Sequence, residues 1–79
     1  MQTIAVTVSL HGYLRKYFQG NNTTSINLPL QSSVRDIFPY IELTADRVDI
    51  ISVNGEKVSG DYQLRDGDRV SVYPMVAGG

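Results

Sequence analysis

Apolar residues return at every second position in separate stretches of this chain, and that period commits those stretches to β-strands. Residues 3–10 place Ile4, Val6, Val8 and Leu10 on one face and Thr3, Ala5, Thr7 and Ser9 on the other, the pattern of a strand buried on one side. Residues 24–30 repeat it, with Ile26, Leu28 and Leu30 aligned. Residues 48–53 are mostly apolar, and Arg69-Val70-Ser71-Val72-Tyr73 alternates again before Pro74 ends the run. Between the last two stretches lies Asn54-Gly55, the dipeptide that suits a type I′ turn, with Glu56-Lys57-Val58 as the return strand. Leu64-Arg65-Asp66-Gly67-Asp68 reads as a second turn, with Gly67 free to take positive φ.

Two segments break the strand period. Tyr13, Leu14, Tyr17 and Phe18 fall on one helical stripe, so a helix is expected over 11–19, stopped by Gly20 and followed by a loop at 21–24. Ser33-Val34-Arg35-Asp36 reads as a helix start, with Ser33 as the cap and Val34, Ile37 and Phe38 facing inward. Pro39 lacks an N–H and crowds the preceding turn, so that helix is expected to be short or broken, restarting with Pro39 as its first residue. The expected architecture is α+β: a mixed sheet of four or five strands with one main helix packed across it.

Size and composition remove whole classes of function. Seventy-nine residues fit one small domain and exclude a two-lobed enzyme with a cleft between lobes. A chain of this length buries roughly 60–65% of its unfolded surface, so the core is thin. With no cysteine, the chain forms no disulfide, zinc finger, iron–sulfur site or thiol nucleophile, and one histidine excludes a multi-histidine site. Seven Lys+Arg against eight Asp+Glu give a net charge of −1, which draws neither nucleic acid nor an anionic membrane. No apolar run approaches the ~20 residues that span a bilayer, and Met1-Gln2-Thr3-Ile4 does not open a signal peptide. A cytoplasmic protein is expected.

The side chains offer no catalytic constellation. His11 has no carboxylate or cysteine beside it in sequence and reads as a loop or packing residue. Asp66-Gly67-Asp68 lacks the spaced acidic positions and distal Glu of a calcium loop and reads as a turn. Arg15-Lys16 between Tyr13 and Tyr17 reads as a solvated helix face. The sequence ends differently, in Gly78-Gly79, a pair that chance supplies in roughly one chain in 200. Two residues without side chains can enter a narrow channel in another protein and accept backbone angles that others resist. A carboxylate delivered that way is a poor acyl donor until activated, for example as an acyl-adenylate.

The opening strand, Val53-Asn54-Gly55, Leu64 through Val70, and Tyr73-Pro74 through Val76-Ala77-Gly78-Gly79 follow one another at spacings that cover nearly the whole chain. Together they resemble the MoaD/ThiS family of ubiquitin-like β-grasp sulfur carriers. The helix at 11–19 resembles the molybdopterin-type member more than the thiamine-type one. Met75 stands where the molybdopterin type usually has a second proline, and Pro39 shortens a helix that the family runs further.

The resemblance implies a β-grasp domain over 1–74 and a flexible tail over 75–79, with the first and last strands side by side and parallel. It implies a carrier rather than an enzyme. A ubiquitin-activating-type adenylyltransferase would use ATP and Mg²⁺, neither held by this chain, to adenylate Gly79. A sulfur-donor protein would convert the adenylate to a thiocarboxylate, and a sulfur-accepting synthase subunit would take the sulfur for cofactor biosynthesis. Gly78 and Ala77 would thread the channel, and Tyr73, Met75 and Val76 would dock on the partner. The acceptor stays open among molybdopterin, tungstopterin, thiamine, a thiolated tRNA base and other sulfur-containing products. Two other readings stay open: a ubiquitin-like modifier joined to lysines through Gly79, and a β-grasp interaction module with an inert tail.

Overall fold

The computed structural model describes residues 2–12, 23–41 and 48–75. The helix expected over 11–19, its stop at Gly20, the start of the loop at 21–24, and the tail residues Val76, Ala77, Gly78 and Gly79 lie largely or wholly outside them. Among the described residues there are five strands: β1 (Thr3–Leu10), β2 (Thr23–Pro29), β3 (Val48–Val53), β4 (Glu56–Val58) and β5 (Arg69–Pro74). They form one sheet in the order β2-β1-β5-β3-β4. β1 and β5 run parallel at its centre, with Thr7 opposite Arg69 and Leu10 opposite Val72. The other neighbours are antiparallel.

The period-two alternation decides which face is buried. Ile4, Val6, Val8 and Leu10 of β1, Ile26 and Leu28 of β2, Ile51 and Val53 of β3, and Val70 and Val72 of β5 all point to one side. Val34, Ile37 and Ile41 close over them from the segment after β2. That segment is a 3-10 turn (Val34–Ile37) running into a short α-helix, α1 (Phe38–Ile41). The break expected at Pro39 is present, but α1 begins one residue earlier, at Phe38. Pro39 therefore sits in the first turn, where its missing N–H would have had no intrahelical partner. At the other end of the segment the Ser33 N–H donates to Asp36 Oδ2 at 2.8 Å, the capping contact that the sequence predicts.

β2 differs from its expected alignment. It ends at Pro29, and Leu30 is 49% exposed instead of joining Ile26 and Leu28. Gln31 takes φ 70°, and both the Ser32 amide and hydroxyl donate to the Pro29 carbonyl, at 3.2 and 2.7 Å. That turn lifts Leu30 out of the strand.

Both predicted glycine turns form. Asn54 and Gly55 have φ 54° and 90°, as a type I′ hairpin requires, and Gly67 has φ 88°. No atom lies within 4 Å of a Cβ built on Gly55, so strain there is purely conformational. Gly55→Val is expected to cost about 1–3 kcal/mol, because a β-branched residue resists positive φ. Thermal denaturation checks this, and an unchanged midpoint would contradict the turn assignment.

Candidate functional site

The turn before β5 anchors the last strand against β1 and the Asn54-Gly55 turn. Asp68 is 7% exposed and its carboxylate is fully used. Oδ2 accepts the Arg65 N–H at 2.8 Å, and Oδ1 accepts the Asn54 side-chain amide at 3.0 Å. The Asn54 side-chain oxygen in turn accepts the Arg69 N–H at 2.9 Å. Asp66 Oδ1 accepts the Ala5 N–H at 2.8 Å, and the Gly67 N–H donates to the Ala5 carbonyl at 2.8 Å. These carboxylates serve the backbone of a turn, as the sequence reading of Asp66-Gly67-Asp68 expects. Among the described residues no three or more His, Cys, Asp or Glu side chains cluster at metal-binding distance.

β5 then carries the chain out of the sheet. Val70 and Val72 point into the core, while Arg69, Ser71 and Tyr73 point to the open face. Tyr73 and Met75, expected as docking residues, are 39% and 47% exposed. Val76, Ala77, Gly78 and Gly79, expected to dock, thread and carry the carboxylate, lie outside the described residues.

The end of β1 braces this exit. The His11 N–H donates to the Val72 carbonyl at 3.1 Å, extending the parallel pairing one step past Leu10. The His11 ring stacks on Tyr73 with centroids 4.3 Å apart and planes 9° from parallel. Its Nε2 is buried and has no hydrogen-bond partner among the described residues. The histidine is a packing residue, as expected, and its partner is the proposed docking tyrosine. Sequence reasoning missed that contact, although parallel pairing of the first and last strands brings position 11 beside position 73.

Gly12 completes the brace. It takes φ 60°, and a Cβ there would stand 2.9 Å from Cγ of Pro74. Gly12→Ala is expected to cost about 1–3 kcal/mol through that contact and the positive φ. Replacing Pro74 by Ala in the same chain should recover part of the loss, because the two residues are in contact. Full additivity in denaturation measurements would show that the ring contact carries no energy.

Parallel terminal strands at the centre of a five-stranded mixed sheet, with a short helix across one face, define the ubiquitin-like β-grasp fold. The Mut7-C ubiquitin family model matches residues 3–78, and the chain belongs to that family. A Pyrococcus furiosus protein assigned as molybdopterin converting factor subunit 1 is 31% identical, with TM-score 0.75 over 92% of this chain and 99% of that one. Small archaeal modifier protein 1 of Haloferax volcanii is 18% identical, with TM-score 0.73 over 95% and 99%. A complex of subunits 1 and 2 of the Helicobacter pylori molybdopterin-converting factor matches with 20% identity and TM-score 0.63, over 96% of this chain and 100% of that one. No curated protein sequence matches at comparable significance. The resemblance carried by the sequence motifs thus holds at the level of family and fold. Among the described residues no helix is long and apolar enough to cross a membrane.

Proposed function

We propose that the chain is a sulfur carrier whose working group is the carboxylate of Gly79. An adenylating enzyme joins that carboxylate to the AMP portion of ATP and releases pyrophosphate. A sulfur donor then displaces AMP, leaving a thiocarboxylate that passes sulfur to an acceptor. The chain contributes the acyl group, an arm and a docking face, and ATP and Mg²⁺ belong to the activating enzyme. A molybdopterin-type acceptor is favoured over a thiamine-type one, supported by the 31% identity to the Pyrococcus protein.

The observation that carries this reading is the exit of β5. The central strand, held by ladders on both sides, ends at an exposed Tyr73–Met75 edge only four residues before Gly79. A rigid base and a short arm of small residues limit how far a carboxylate can reach from a docking face, which suits delivery into a buried site. The likeness to an archaeal modifier favours a second use of the same carboxylate, an isopeptide bond to a lysine. Intact-mass measurement after incubation with adenylating enzyme, ATP and sulfur donor tests both. Replacement of one terminal oxygen by sulfur is the expected result. Gly79 linked to lysine, without thiocarboxylate, would support the modifier, and an unchanged mass would leave the tail inert.

A further inference from the structure

The open face of the sheet holds a feature that the tail reading does not use. Ser52 of β3 stands in register with Lys57 of β4 on one side and Ser71 of β5 on the other. Ser71 is in turn opposite Ser9 of β1, whose hydroxyl shares a hydrogen bond with Thr23 of β2 at 3.2 Å. A row of small hydroxyl side chains therefore crosses the sheet and ends at a lysine. Arg69 and Tyr73 flank Ser71 along β5, each about 7 Å away along the strand. Ser52, Ser71, Lys57, Arg69 and Tyr73 line one shallow, open depression with the Asn54-Gly55 turn. Its described lining carries two cations and no carboxylate, on a chain whose net charge is −1.

This composition specifies a complementary surface. Short serines leave the floor reachable, and their hydroxyls donate to acceptors. Lys57 and Arg69 supply positive charge from opposite sides, and Tyr73 offers an amphipathic edge of the kind enriched in protein interfaces. We infer that this face docks an acidic protein surface, with carboxylates of the partner seated between Lys57 and Arg69. Charge complementarity selects that partner over nucleic acid. Two cations would neutralise about two phosphates, too few for useful backbone affinity, and a single tyrosine provides no stacking platform for successive bases. Because Tyr73 leads directly to the tail, the acidic partner is the protein that receives Gly79, and this identification rests on the proposed carrier function.

The double variant Lys57→Glu/Arg69→Glu tests the face, with thermal denaturation as the folding control. Both side chains are exposed, and the Arg69 contacts to Asn54 are made by its backbone. In an NMR titration with hexaglutamate peptide, amide shifts are expected at Ser52, Lys57, Arg69, Ser71 and Tyr73. They should fade as salt is raised and vanish in the double variant. Shifts elsewhere, no shifts, or tighter binding of hexathymidylate at the same residues would overturn the inference. In loading by the adenylating enzyme, the variant should raise KM about tenfold or more with kcat retained. Normal KM in a chain that loads would overturn the inference and leave the carrier reading standing. If the wild-type chain gains no adenylate, the carrier reading fails and the titration alone decides the face.

Discussion

Deleting Gly79 is expected to leave the melting temperature almost unchanged while abolishing productive loading. The described core and its ladders are complete by Met75, and Gly79 has no side chain to bury. The deletion moves the carboxylate back by one residue, up to ~3.5 Å of chain. Reaction geometry is sensitive to displacements of about 1 Å, so the shortened arm should fall outside the reacting position. Gly78→Val should also impair loading with the fold intact, since a β-branched side chain obstructs a narrow channel. Denaturation paired with mass spectrometry of the product separates the outcomes. A deletion variant that gains thiocarboxylate at the normal rate would remove the tail from the mechanism. One that unfolds would make the tail part of the scaffold.

The second large effect is expected at Asn54, a residue with no part in the proposed chemistry. Its side chain donates to the buried Asp68 and accepts from the Arg69 N–H, and its own N–H donates to the Arg69 carbonyl at 2.8 Å. It does so at φ 54°, a conformation that asparagine tolerates and leucine resists. Asn54→Leu removes both side-chain bonds, leaves Asp68 short of a donor and strains the turn. The expected cost is about 3 kcal/mol. A domain of this size has a total stability of about 4–12 kcal/mol, so the midpoint should fall by roughly 12–24 °C. Asn54→Gly keeps the turn geometry and loses only the side-chain bonds, so it should fall by less. A leucine variant melting within a few degrees of the parent would show that the clasp between the two turns is dispensable.

What could be read in advance is whatever local physics decides. The alternation of Ile4 to Leu10 and of Val70 to Val72 names the buried face before any partner strand is known. Asn54-Gly55 and Gly67 announce positive φ by residue type, and Asp36, three residues after Ser33, announces the carboxylate that accepts the Ser33 N–H. Leu30 was misplaced because alternation cannot see that Gln31 turns the chain. The stack of His11 on Tyr73 and the row from Ser9 through Ser71 and Ser52 to Lys57 were invisible for a different reason. Each depends on the register between strands distant in sequence, which no local pattern contains. The tail was legible only as a residue type, through Gly78-Gly79, and its working role comes from resemblance.

The parallel alignment of β1 and β5 also decides how the domain answers a pull. Tension applied at the tail runs along β5 while β1 resists in the same direction, so the pairs from Thr7/Arg69 to Leu10/Val72 are loaded together. The antiparallel β3–β4 hairpin, pulled apart at its open end, would instead surrender its pairs one at a time. Under the proposed carrier function, an enzyme drawing Gly79 into a channel would load these parallel pairs in shear. Such a pull would have to break them together, where peeling a hairpin breaks its pairs in turn.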